Sequence, residues 1–315
     1  MPLFFARLSK SDNLVSSVPY YIINKENGNL EQIVLDGKPV LKEPLTFNLW
    51  RAPLANEFDE WDAMRVSGSN VEGFGSMVAT LFYSKGLDHP HIQLADIQLS
   101  QTAYATQVRV RQLVRVGAPS FEALDPYIQG IVMAGFTLDY TYSFYDDGTV
   151  KIHNHVSPQG KFPELLPRVG FTTSVSKDFD LLTWYGRGPE ENYPDRKTGY
   201  PVGVWSRNVA DMYEPYLLPQ DHALRTDLRY LQLKDKEGRG LQISMNELFN
   251  FNAYQFTTDN LTKSQFTYQL QPLADRYTFN LDYATTGVGC TAVYVLDEYK
   301  VKPVPYDREM TIILF

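Results

Sequence analysis

The chain has a single cysteine, Cys290, in 315 residues, so no intramolecular disulfide is available, and no cysteine and histidine spacing suggests a structural zinc. A reducing compartment is compatible with that composition. No apolar run approaches the roughly 18 residues of a membrane span. The apolar run near the N-terminus, Leu3 to Ala6, has no basic residue ahead of it and is too short for a signal-peptide core. Positive charge is in deficit: the net charge of −8 opposes association with nucleic acid or an anionic membrane surface. Neither is expected as a partner. The expected location is the cytoplasm, or the periplasm if the chain is cut from a longer secreted precursor. With no linker rich in Gly or Ser, no internal repeat and no low-complexity segment, residues 1–315 are expected to form one domain, with 1–15 as a lead-in strand.

What the chain does have is strand-forming side chains. Hydrophobic residues make up 43% and aromatics 14%, with 21 Tyr and 18 Phe, which favours a globular protein rich in β-structure. The dominant period is two. Phe136, Leu138, Tyr140, Tyr142 and Phe144 alternate with smaller or polar residues, and Asp147-Gly148 then turns the chain into Val150, Ile152 and Val156. Asn27-Gly28 and Asp36-Gly37 flank Leu30 to Leu35, and both pairs favour the primed hairpin turns. Leu231 and Leu233, Glu237-Gly238, then Leu241 and Ile243 repeat the pattern, as do Tyr277, Phe279, Leu281 and Tyr283. Val108, Val110, Val114 and Val116 form another alternating strand with Arg109, Arg111 and Arg115 on its far side, read as a solvated or ion-paired face because no aromatics interleave for base stacking. The irregular stretch from Gly117 to Gly130 reads as a surface excursion. The fold class is all-β, a large antiparallel β-sandwich.

The run Trp184 to Arg196, WYGRGPEENYPDR, interrupts this regularity. Gly186 and Gly188 permit positive φ while Pro189 and Pro194 fix φ and remove donors, so the run reads as an ordered loop, and ordered loops carry function. It resembles the G-x-GP-x-E-N-Y-x-D-R signature of the C-terminal domain of family 2 β-galactosidases. Three further segments support the resemblance in the same order along the chain: Asn48 to Asn56 (NLWRAPLAN), similar to WRAP-x-DN; Leu166 to Gly170 (LPRVG), similar to PR-x-G; and Asp211 to Tyr216 (DMYEPY) with Pro219-Gln220-Asp221 and Leu224-Arg225, similar to D-x-Y-x-PY and P-Q-E-x-G-x-R. The resemblance implies a galactose-mutarotase-like super-sandwich. It also implies a partner, the barrel-shaped catalytic domain or large subunit of a β-galactosidase, and a β-galactoside or oligosaccharide as ligand. No cofactor is implied for this chain; Mg or Na would belong to the partner catalytic domain.

A glycosidase needs two carboxyl groups across the scissile bond, about 5 Å apart for retention, and the adjacent Glu190 and Glu191 are a poor pair for that task. In the resembled family the catalytic glutamates lie in the barrel domain, so no catalytic residue is expected here. The domain would instead supply shape and contacts. Trp61, in NEFDEWDAM after the WRAP segment, and Tyr294, in GVGCTAVY where the family has a platform tryptophan, are the aromatic candidates for sugar contact, with Asn56 beside them. The family's acidic pair and tryptophan in the second segment, and the aspartate at the position of Ala55, are absent. Arg187, Glu191, Asn192, Tyr193, Asp195 and Arg196 are expected to order the loop, with Asp195 and Arg196 holding it by charge-assisted or backbone bonds. His153 and His155, or His89 and His91, share positions from which a metal could be ligated, yet neither pair brings a third ligand. These histidines also carry the alternative of a stand-alone aldose 1-epimerase; a further alternative is a non-catalytic carbohydrate-binding module.

Overall fold

The computed structural model describes residues 3–7, 19–57, 78–117, 134–162, 165–289 and 295–315. They form two antiparallel sheets. The first runs β1 (Leu3–Arg7), β2 (Tyr20–Asn24), β3 (Leu30–Leu35), β5 (Leu41–Asn48), β10 (Arg168–Ser176), β17 (Arg276–Thr285), β16 (Phe249–Tyr254) and β13 (Arg225–Leu228), with β4 (Lys38–Pro39) beside β3. The second runs β12 (Val202–Asn208), β11 (Leu181–Arg187), β14 (Tyr230–Lys234), β15 (Gly240–Met245), β18 (Tyr306–Leu314), β9 (Val150–Gln159), β8 (Ala134–Tyr145), β7 (Ala105–Val116) and β6 (His91–Gln101). One hydrophobic cluster draws side chains from both sheets, among them Phe47, Phe136, Phe171 and Leu231. The all-β antiparallel sandwich expected from the period-two pattern is the observed architecture.

Alternation places the core where the sequence puts it. Val108, Val110, Val114 and Val116 are buried, and Arg111 on the opposite face pairs with Asp139 of β8 at 2.7 Å. Turn chemistry sets the registers. Asp36 and Gly37 both take positive φ, +49° and +75°, and join β3 to β4 with Leu35 opposite Lys38, as a primed turn requires. Asn27-Gly28 differs from expectation: only Gly28 is left-handed, and the Asn29 carbonyl accepts from the Asn24 amide across a longer turn. The stretch from Gly117 to Gly130 lies, beyond Gly117, outside the described residues.

The reading of Trp184 to Arg196 as loop throughout needs correction. Trp184 to Arg187 complete β11, paired throughout with β12 and as far as Tyr185 with β14, with Trp184 opposite Trp205 and Leu231. Trp184 is fully buried, and its indole N–H donates to the Arg187 carbonyl at 3.0 Å. Neither Gly186 nor Gly188 takes the left-handed conformation. Their small size answers to packing instead. A Cβ on Gly188 would lie 2.8 Å from the Trp205 ring and 3.1 Å from the Trp184 ring, and one on Gly186 would lie 3.1 Å from the Leu228 backbone and side chain. Two tryptophans thus close over the point where the strand becomes a loop, and the Gly188-Pro189 peptide there is cis. Gly188→Ala should destabilise the chain by about 1–3 kcal/mol through this overpacking, and Trp205→Ala in the same chain should recover part of the loss. Urea unfolding of both single variants and the double variant checks it; additive losses would place the strain elsewhere.

Candidate functional site

From Gly188 onward the run is a loop held by its own acceptors. Glu190 and Glu191 diverge. Glu190, half-exposed, pairs with Arg207 of β12, whereas Glu191 turns inward and is 3% exposed. One Glu191 carboxylate oxygen accepts from Arg196 at 2.7 Å and from the Tyr216 hydroxyl; the other accepts from the Ala223 amide at 2.7 Å. Burial, reinforced by Glu191, pushes the Tyr216 hydroxyl up to about 12. Asn192, fully buried, accepts from the Thr226 amide at 3.1 Å, and its own amide donates to the Glu190 carbonyl at 3.0 Å. Tyr193 is buried, with its hydroxyl 3.4 Å from the Asp221 carbonyl and the Arg196 guanidinium over its ring. Arg187 donates to Asp227 at 2.6 Å and to the Tyr200 carbonyl at 3.0 Å, closing the loop's far end with Lys197 on the other Asp227 oxygen. Asp195 and Arg196 do not bond to each other. Asp195 reaches instead to the amides of Val288 and Gly289, at 2.9 and 2.7 Å.

A cleft of about 350 Å³ opens beside this loop, lined by Leu54, Asn56, Tyr193, Arg196, Tyr216, Gln220 and Gly289 among others. Its second wall is the short turn Ala55–Glu57. That turn is pinned from below by Arg51, whose two terminal nitrogens each donate to Glu57 at 2.8 Å, with both side chains fully buried. From the side, the Gln220 carboxamide oxygen accepts the Ala55 amide at 2.6 Å. Asn56 donates to the Val288 carbonyl at 2.6 Å. Residues from three of the resembled segments, represented by Asn56, Tyr193 and Gln220, therefore meet here with Val288 and Gly289, and the fourth segment reaches the cleft only through Arg168, which bonds Asp221. Trp61 and Tyr294 lie outside the described residues.

Beneath the cleft runs a polar chain that alternation alone does not disclose. The Asn48 amide donates to Asn280, Asn280 to Asn252, and Asn252 to Asp221, at 3.2, 2.9 and 3.0 Å. Arg168, fully buried, donates to both Asp221 oxygens at 3.2 and 3.1 Å and lies 3.7 Å from Asp282. Burial, offset in part by Arg168 and a hydrogen bond from Thr285, pushes the Asp282 carboxyl up to about 6. Arg225, stacked 5.5 Å over Trp184, is also buried and donates to the Pro189 carbonyl at 2.8 Å; burial pushes its guanidinium down to about 10. The signal for these residues in sequence was the polar side chains Asn280 and Asp282 inside a strand whose neighbours are aromatic. That pattern alone reads equally as a solvent-facing side of the strand and names no partner.

None of the five histidines lines the cleft. His153 and His155 both face Asp307, at 2.6 and 4.0 Å, and His89 pairs with Asp88 at 2.6 Å. Among the described residues no three metal-binding side chains converge, and no helix is long and apolar enough to cross a membrane. His222 is packed between Tyr213, Tyr254 and Phe256, where burial pushes its imidazole down.

The fold and this cleft define an antiparallel two-sheet β protein whose loops, not its strands, build the site. Residues 18–312 match the β-galactosidase small chain, and the chain belongs to that family. It is 37% identical over 149 residues to the β-galactosidase of Priestia megaterium, a match covering 47% of this chain and 14% of that one. It is 28% identical over 266 residues to the β-galactosidase of Vibrio cholerae, covering 84% of this chain and 23% of that one. The chain thus spans less than a quarter of the length of either relative. A GalM/aldose epimerase homologue from C. elegans superposes over 100% of this chain and 99% of its own with a TM-score of 0.42 at 12% identity, too distant to carry a functional argument.

Two consequences can be measured. The folded Asp282 carboxyl titrates near 6 against an unfolded value near 3.8, so between those limits the folded state binds the extra proton and stability falls as pH rises. Asp282→Asn should flatten that slope, as read from urea unfolding at intervals from pH 4 to pH 6.5; an unchanged slope would remove Asp282 as its source. The second concerns Ala223, which sits at φ +63° where the family run has glycine. Ala223→Gly should relieve a left-handed strain of about 1 kcal/mol, less the entropy glycine adds to the unfolded chain, and raise the melting temperature slightly.

Proposed function

We propose that this chain completes a β-galactosidase: it walls one side of the β-galactoside site, while the acid and nucleophile come from a barrel-bearing catalytic domain or large subunit. The observation that carries this reading is the Asn56 to Val288 hydrogen bond, which ties together the two segments whose continuations hold Trp61 and Tyr294. Each aromatic lies five positions beyond a cleft residue, Asn56 and Gly289 respectively. Supporting it are family membership, the chain's share of its relatives' length, and the divergence of Glu190 and Glu191. In this reading Trp61 and Tyr294 stack on the sugar, Asn56 borders it, and Arg187, Glu191, Asn192, Tyr193, Asp195 and Arg196 order the loop without touching it. Any Mg or Na acts in the catalytic partner. The protein works in the cytoplasm in carbohydrate metabolism.

The purified chain should therefore leave a nitrophenyl β-galactoside intact, and hydrolysis should appear only when the catalytic partner is joined to it. In that assembled enzyme, Trp61→Ala and Tyr294→Ala should each lower kcat/KM by about tenfold, the size of a lost stacking contact of about 0.5–1.5 kcal/mol beyond area burial. Robust turnover by the chain alone, abolished by changing one of its glutamates, would defeat the proposal. Unchanged kinetics in both aromatic variants would reduce the chain to a structural wall.

A further inference from the structure

We infer that Asp195 and Asn56 are positioning residues that clamp the Gly287–Gly289 turn from two sides and so fix this edge of the cleft wall. The clamp has three points. The two Asp195 oxygens take the consecutive amides of Val288 and Gly289, one each, at 2.9 and 2.7 Å. Asn56 takes the carbonyl between them, that of Val288, at 2.6 Å. One peptide unit and its neighbour are thereby fixed in position and rotation, since both donors and the intervening acceptor are engaged by side chains from distant parts of the sequence.

The glycines of the turn fit this role and no side chain could replace them cheaply. A Cβ on Gly287 would stand 2.5 Å from the Asp195 Cγ, inside the carboxylate itself. Gly289, at φ +68°, directs the chain through the left-handed region at the cleft edge. The Gly287 amide is held in turn by the Tyr299 carbonyl at 3.0 Å, which secures the turn on the side away from Asp195. Glu191 and Asn192 tie the signature loop to the Ala223–Thr226 segment, and the Asp195 carboxylate ties it to the Gly287–Gly289 turn. Asn56 likewise spends an amide hydrogen on the frame while lining the cleft. The kinetic half of this inference rests on the galactoside-site reading; the clamp itself does not.

The test has two readouts. Amide hydrogen exchange on the isolated chain needs no substrate: Asp195→Ala should speed exchange at Val288 and Gly289 while β10 and β17 keep their protection. In the assembled enzyme, Asp195→Ala and Gly287→Ala should each lower kcat/KM by about tenfold, mainly through KM, because each displaces the same carboxylate from the same turn. Asp195→Asn, which keeps one acceptor oxygen, should fall between Ala and the parent. Arg111→Ala, on a remote sheet face, serves as the control and should leave kinetics unchanged. Should Asp195→Ala fail to fold, Gly287→Ala and Asp195→Asn decide the matter. Unchanged exchange at both amides would overturn the clamp. Faster exchange with kcat/KM within about twofold of the parent at matched folded fraction would overturn the positioning role. An assembled parent enzyme with no β-galactosidase activity would take down the functional reading and the positioning role together, while the exchange result would still judge the clamp.

Discussion

Arg168 places a guanidinium where no water reaches it, and the cleft depends on how that charge is met. Burying a lone cation of this size costs several kcal/mol even after the surroundings relax, so the fold must bring carboxylates to it. It brings two, Asp221 from the cleft loop and Asp282 from β17, with Asn252 of β16 completing the set. Because Asp221 belongs to no strand, this contact fastens an irregular segment to the middle of a sheet. Gln220 and His222 follow from it: the first reaches the Ala55 amide, and the carbonyl of the second accepts from Asn252 at 3.0 Å. Removing either carboxylate would leave Arg168 under-compensated rather than merely lose a contact, so these residues stand or fall as a set.

The same logic recurs above the sheet at smaller scale. A loop with two prolines and almost no ladder bonds must satisfy its backbone through side chains. Glu191 and Asn192 do so by accepting amides from Ala223 and Thr226, so the signature loop and the Asp221–Thr226 segment order each other. Arg51 and Glu57 repeat the arrangement for the turn at Ala55–Glu57. The cleft is therefore a place where three irregular segments lean on buried charges: Arg51 with Glu57, Arg168 with Asp221, and Glu191 with Arg196.

Much of the fold could be read from the sequence because the buried face of a strand in a two-layer sandwich obeys a period of two. Phe136 through Phe144, and Leu231 through Ile243, needed no further information. The site motifs were legible as a resemblance, and their residues do converge. What could not be read is instructive. Gly186 and Gly188 looked like turn glycines because conformational freedom is the commoner reason for glycine, whereas here ring packing by Trp184 and Trp205 is the constraint. Asn280 and Asp282 occupy the polar half of an alternating strand, yet they face a buried polar chain instead of solvent, and only three-dimensional partners such as Asn252 and Arg168 distinguish those cases. Asp195 was read as acting within its own loop; its partners lie more than ninety positions away, beyond the reach of local pattern.

A domain built this way is well suited to lend geometry and poorly suited to proton transfer. An acid or base in catalysis needs a carboxyl that exchanges its proton with a substrate held within hydrogen-bond reach. The carboxylates around this cleft are already committed: Glu191 to Arg196, Tyr216 and an amide, Glu57 to Arg51, Asp221 to Arg168, and Asp195 to two amides. Asp282, whose carboxyl is pushed up to about 6, is fully buried beneath the cleft and turned toward Arg168 and Thr285. Each acid thus stabilises a segment of wall, and rigidity is what a wall must offer if a sugar is to meet catalytic groups placed by another part of the protein. The four carboxylates that hold these segments, Glu57, Glu191, Asp195 and Asp221, are each engaged by a guanidinium or by backbone amides, so the bonds that make the wall rigid are the same bonds that keep these acids from exchanging protons.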